Sequence, residues 1–250
     1  MKNFILPIVM AVSTILSSYT ADVKEMSHPI GIESITNDFS STTEVRHVSN
    51  FEKLSVSSAF IVKISDGHQN GQIKITAPNH ALQKIKSKVV NGELKLYVEG
   101  KLQLNSNKIL IEFPHQKLRN LSISGACIVT IDHQMKVDKF NANVSGASKL
   151  KANILSNDAS IEISGSSTVQ LLGNVGNLDV EVTGASKFEG EQLKANIAEV
   201  EASGASKIKV WAVNALDIEA SGASKVEYVN QHGLNPKIQK SGVSKVSVKS

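Results

Sequence analysis

The chain has 250 residues, enough for one large β domain or two small ones with a buried core. Hydrophobic residues make up 41% and aromatics 4%, which excludes a disordered chain and favours a core of small and β-branched side chains. The formal net charge of +4 is too mild and too dispersed for a nucleic-acid surface, and one cysteine, Cys127, excludes an intramolecular disulfide.

Residues 1–21 have the pattern of a secretory signal peptide. Lys2 supplies the positive start, Phe4 to Leu16 an apolar stretch too short to span a bilayer, and Ser17, Ser18, Thr20 and Ala21 the small residues for cleavage. No cysteine lies near the cleavage zone, which argues against a lipid anchor, and no later segment is long and apolar enough for a transmembrane helix. The expected location is the periplasm or the cell surface and beyond. Residues 22–49, with Ser40-Ser41-Thr42-Thr43 among them, read as a flexible leader.

Residues 50–120 form a β-rich, less regular part that would cap a stack. Leu54-Ser55-Val56-Ser57-Ser58-Ala59-Phe60 looks like a degenerate copy of a motif that recurs later. Gly71–Ile75, Gly92–Tyr97 and Lys108–Phe113 alternate as strands, and His80–Lys86 is a candidate short helix.

Residues 121–250 repeat. Ser-Gly-Ala-Ser-Lys or a close variant places its glycine at Gly125, Gly146, Gly165, Gly184, Gly204, Gly222 and Gly242, at intervals of 21, 19, 19, 20, 18 and 20 residues. Four residues before each glycine stand Leu121, Ala142, Ile161, Val180, Val200, Ile218 and Ile238. Two before it are Ile123, Val144, Ile163, Val182, Ala202 and Ala220, with Lys240 breaking the rule. Four after it are Val129, Leu150, Val169, Phe188, Ile208, Val226 and Val246. Alternation on both sides predicts two short strands per repeat, meeting at a corner made by the glycine and the small residue after it. Further turns are expected at Asn157-Asp158 and Gly173-Asn174. A parallel β-helix and an antiparallel meander both fit this pattern. Identical residues at equivalent positions favour the helix, where like residues stack, and parallel crossovers make it right-handed. The fold class is therefore all-β, a right-handed parallel β-helix with rungs of about 20 residues. The final repeat shows no obvious cap, so its open edge could join another chain.

The opening Phe51-x-x-Leu54-x-Val56 strand, the Val89-Val90-Asn91-Gly92-Glu93-Leu94 segment and the Ser-Gly-Ala-Ser corners resemble the head-GIN family of exported Bacteroidota-type auto-transporter adhesins. The resemblance covers about residues 50–249 and implies a β-helical fold outside the cytoplasm. No translocator barrel accompanies it.

Two charge columns follow from the repeat. Glu162, Glu181, Glu201 and Glu219 precede the glycine by three; Lys149, Lys187, Lys207, Lys225 and Lys245 follow it by three. Stacking would set like charges near 5 Å apart, costing up to about 1 kcal/mol per contact in water. The lysine ladder is the candidate ligand-facing surface, matched to repeating negative charges on a polysaccharide or another cell-surface component; solvated lysines that keep the face soluble are the simpler account. Asp158, Asp179 and Asp217 read as scattered near turns, and the seven histidines lack metal-ligand spacing. Cys127 has no base beside it and fills a serine position. Trp211 reads as a local packing filler. No catalytic, metal or cofactor-binding residues are expected. The functional expectation is a non-enzymatic adhesion or glycan-binding module. A self-assembling envelope scaffold is the alternative, ahead of a polysaccharide-degrading enzyme.

Overall fold

The structure, a computed structural model, describes residues 41–103, 108–115, 117–230 and 233–249. The signal peptide at 1–21, residues 22–40 of the expected leader, His28 and His232 lie outside the described residues.

The elements run β1 (Ser41–His47), β2 (Lys53–Val56), β3 (Phe60–Ser65), β4 (Gln72–Pro78), α1 (Asn79–Leu82), β5 (Ile85–Val90), β6 (Glu93–Val98), β7 (Ile109–Pro114), β8 (Asn120–Ile123) and β9 (Ile128–Lys136). They continue through β10 (Lys139–Val144), β11 (Lys149–Ile163), β12 (Thr168–Val182), β13 (Lys187–Ala202), β14 (Lys207–Ala220), β15 (Lys225–Val229), β16 (Lys237–Lys240) and β17 (Lys245–Val248). From β8 onward every strand pairs in parallel with the strands one repeat away, in the register that places glycine over glycine. The repeat is thus a parallel β-solenoid and not a meander.

The alternation read from the sequence is the burial pattern. The aliphatic residues at four and two before the glycine and four after it are buried in every rung from β8 to β15. Each such Val, Ile or Leu contributes about 1.5–3 kcal/mol of burial. The turns at Asn157-Asp158 and Gly173-Asn174 are bends inside unbroken strands. Asn157 and Asp158 both face outward, so the alternation slips by one residue while the ladder continues.

The corner differs from expectation in one respect. The alanine after the glycine faces solvent. The serine after that points inward, and Ser148, Ser167, Ser186, Ser206 and Ser224 are all buried. Three of these five hydroxyls are hydrogen-bonded, and those of Ser206 and Ser224 have no partner among the described residues. The Oγ atoms of Ser148, Ser167 and Ser186 accept from the backbone N–H of Cys127, Ser148 and Ser167, each at 3.3 Å. Cys127 occupies this same inward column and is buried.

The N-terminal part is woven into the stack. Strand β2 lies in parallel between β6 and β8, and β3 between β7 and β9. The rung laid down first in sequence therefore sits second in space. Strand β5 runs antiparallel to β6, and β4 antiparallel to β7, which covers that end. Ser41–His47, assigned above to the flexible leader, is a strand: β1 pairs antiparallel with β4 over seven residues. Arg46 anchors it by donating to the Ile85 and Leu82 carbonyls at 2.6 and 2.8 Å. The short helix is α1, beginning one residue earlier than expected and ending at Leu82.

At the other end, β16 pairs only with β14 and β17 only with β15 among the described residues. The edge is blunted by its own sequence. Lys240 stands where the other rungs bury an aliphatic residue, and it is exposed. With Lys237, Lys245 and Lys249 it makes the terminal rung cationic. An inward-pointing charge on an edge strand discourages pairing with another chain.

Two predictions follow. Gly184→Ala should cost about 2–4 kcal/mol in urea unfolding, because its φ of +72° and the Gly165 oxygen 2.6 Å from a Cβ leave no room for a side chain; an unchanged midpoint contradicts the stacking. Lys240→Val should make the protein associate at concentrations where the parent does not, read by light scattering; no difference between the two removes the blunting role.

Candidate functional site

Two faces meet at the glycine corner. On the strand before it, Glu162, Glu181, Glu201 and Glu219 stack in register across four rungs. Two residues earlier on the same face, Asp179, Glu199 and Asp217 form a second carboxylate column. Asp179 and Asp217, read from sequence as scattered, are thus stacked, while Asp158 belongs to the bend. Their signal was a constant offset of five residues before the glycine. The glutamate column ends in amides on both sides. Asn143 Nδ2 donates to Glu162 Oε2 at 2.6 Å, and Gln239 Nε2 donates to Glu219 Oε1 at 3.1 Å. Lys237 Nζ donates to Asp217 Oδ2 at 2.7 Å. Glu201, in the middle, has its carboxyl pKa raised by desolvation and by the neighbouring charges of Glu181, Glu219, Asp179 and Glu199.

On the strand after the corner the lysines stack in a column that one threonine interrupts. Lys187, Lys207, Lys225 and Lys245 stack in order, with Thr168 between Lys187 and Lys149. The column beside it carries Lys151, Gln170, Glu189, Lys209 and Glu227. Lys187 pairs with Glu189 and Lys225 with Glu227 on their own strands, and Lys209 reaches Glu191 at 3.1 Å. Lys149, Lys207 and Lys245 have no carboxylate partner among the described residues.

The remaining sequence candidates resolve simply. Lys194 Nζ lies 5.6 Å over the Trp211 ring, so that face is occupied by a cation. Burial pushes the Cys127 thiol pKa up, which keeps it protonated. His115 is buried. Its Nδ1 accepts the Lys117 N–H at 2.9 Å, so Nε2 is the donor to the Phe51 carbonyl at 2.8 Å. Desolvation lowers its pKa and holds the ring neutral. Among the described residues no group of three or more His, Cys, Asp or Glu could hold a metal ion, and no helix is long and apolar enough to cross a membrane.

Sequence reasoning did not find a cleft of about 630 Å³ at the capped end, bordered by Phe51, Lys53, His68, Asn91, Lys117 and Arg119. Apart from Lys53, which opens β2, its residues come from loops between strands, outside the repeat that made the other columns visible.

The family model described as "Putative auto-transporter adhesin, head GIN domain" matches residues 50–231. No curated protein matches the chain. Three crystal structures share the fold. A "putative adhesin" of Bacteroides fragilis NCTC 9343 has a TM-score of 0.76 at 17% identity, covering 84% of this chain and 98% of that one. A "putative lipid binding protein" of Parabacteroides distasonis ATCC 8503 has 0.62 at 19%, covering 85% and 98%. A "putative adhesin" of the same organism has 0.65 at 15%, covering 84% and 97%.

Removing one charge from the carboxylate column should relieve it. Glu201→Gln should raise Tm at pH 7 and low salt by about 1–3 °C, with the gain shrinking in 0.5 M salt. A carboxyl whose folded pKa is raised destabilises above that pKa and ceases to as it protonates. The gain should therefore also vanish as pH falls below the ordinary value of 4.5. A loss of stability at pH 7 would contradict the repulsion.

Proposed function

This chain belongs to the head GIN family, and on that premise we propose that it is an exported binding module that holds a surface by contact along its stacked faces, acting by binding and not by catalysis. The observation that carries this reading is the repetition of the exposed columns. Glutamates and lysines recur at the rung spacing on two separate faces, and a repeated column offers many equivalent contacts instead of one reacting point. The lysines without a carboxylate partner, Lys149, Lys207 and Lys245, are the ladder positions open to an external anion. The signal-peptide pattern at residues 1–21 supports export, and the family's name supports adhesion.

The scaffold reading relied on an adhesive C-terminal edge. The cationic terminal rung with Lys240 turned to the core position weighs against that edge, so surface binding is preferred.

Protease added to intact cells should digest the protein, and cells lacking it should attach less to surfaces their parent colonises. Protection until the envelope is opened, together with unchanged attachment, would overturn the proposal.

A further inference from the structure

The cleft at the capped end continues into a second hollow of about 580 Å³. The two share Glu52, Lys53, Lys117 and Arg119, so they form one groove. Its floor follows the line where β2, β8 and β10 begin. Lys53 pairs with Asn120, and Asn120 with Asn141, one rung after another. The groove therefore crosses the strands and runs along the solenoid axis at about 4.8 Å per rung.

Five cations line it: Lys53, Lys117, Arg119, Lys136 and Lys139. Arg119 is paired with Glu52, and Lys139 lies 3.9 Å from Asp158. Asp138 is engaged by Asn157 Nδ2 at 2.6 Å. Lys53, Lys117 and Lys136 have no carboxylate partner among the described residues. The amides of Asn120 and Asn141 line the same hollow and make no side-chain hydrogen bond among the described residues, each offering two donors and an acceptor. Of the rings that line it, His68 is exposed and the other two are not. Phe51 and His115 are 3% and 4% exposed and pack on each other with centroids 4.9 Å apart.

We infer that this groove binds a carboxylate-bearing polysaccharide, lying along the solenoid axis across the first rungs. Cations at successive rungs answer repeating acid groups, and the free amides answer hydroxyls. A nucleic acid would call for a succession of exposed aromatic faces on which bases stack, and the groove offers a single exposed ring, His68. The inference rests on the surface-binding reading and moves its specific contact from the flat lysine ladder to a concave, amide-lined groove. Shape and lining are the difference that matters: the groove cations are as exposed as the unpaired ladder lysines, but they stand along a hollow with amides among them.

The test is calorimetry of the purified protein with polygalacturonate oligomers at 50 mM salt. The parent should bind. Lys53→Glu/Lys117→Glu/Lys136→Glu should weaken binding at least tenfold, and the corresponding triple Lys→Gln variant should weaken it less. The matched ladder variant, Lys149→Glu/Lys207→Glu/Lys245→Glu, should stay within twofold of the parent. The inference is overturned by a parent that does not bind, by equal losses in both glutamate variants, or by single-stranded DNA binding as tightly as the oligouronide. Cells carrying the groove variant separate the two claims. Full attachment by these cells, with none in cells lacking the protein, removes the groove and leaves surface binding standing.

Discussion

At each corner the carbonyl oxygen of one rung lies where the next rung's glycine would carry a Cβ, 2.3–2.8 Å away across the column from Gly125 to Gly242. That same oxygen accepts the N–H of the residue after the glycine, at 2.7–2.9 Å. The hydrogen bond and the missing side chain are one constraint, because the rungs can close to bonding distance only if no Cβ intervenes. Ser58, with φ 102°, heads the column as the one non-glycine. Its Oγ accepts the Val98 N–H at 3.2 Å, so a side chain is satisfied there where a lower rung would exclude it. With the corner fixed, the register of both flanking strands is fixed, and aliphatic residues fall over aliphatic residues in the core.

The same register imposes the charges. Stacking like on like benefits apolar side chains and penalises ionised ones, and one ladder geometry delivers both. The two outer faces handle the penalty differently. The lysine face breaks its column with Thr168 and places Glu189 and Glu227 beside Lys187 and Lys225. The carboxylate face has no such relief within it and is closed at its ends by Asn143, Gln239 and Lys237. Exposure to water keeps the cost of each contact low enough for the core to outweigh.

Much of this was legible in the sequence because period and offset from the glycine determine it: the solenoid, the buried columns, the glutamate and lysine ladders, and Ser58 as a degenerate corner. The inward serine was missed because a polar residue two after the glycine gives no apolar signal, though its position obeys the same alternation. The Asp179, Glu199 and Asp217 column was hidden by mixing two residue types at one offset. The insertion of β2 and β3 between later rungs was not legible, since no local pattern says which non-adjacent strand a segment joins. The groove depends on that insertion. Lys53, Lys117 and Lys136 are far apart in sequence and share no repeat position, and only the woven N-terminal rungs bring them to one line.

Stacking of equivalent residues is the claim on which the faces, the ladders and the groove all rest, and cross-linking measures it directly. In a Cys127→Ser background, Glu181→Cys with Glu201→Cys should oxidise to an intramolecular disulfide, because partners on adjacent rungs lie within its Cα–Cα reach of roughly 4.4–6.8 Å. Glu181→Cys with Lys187→Cys, across a single corner, should not. The reverse result, with the bridge forming across the corner and not between rungs, would describe a hairpin meander and contradict the solenoid.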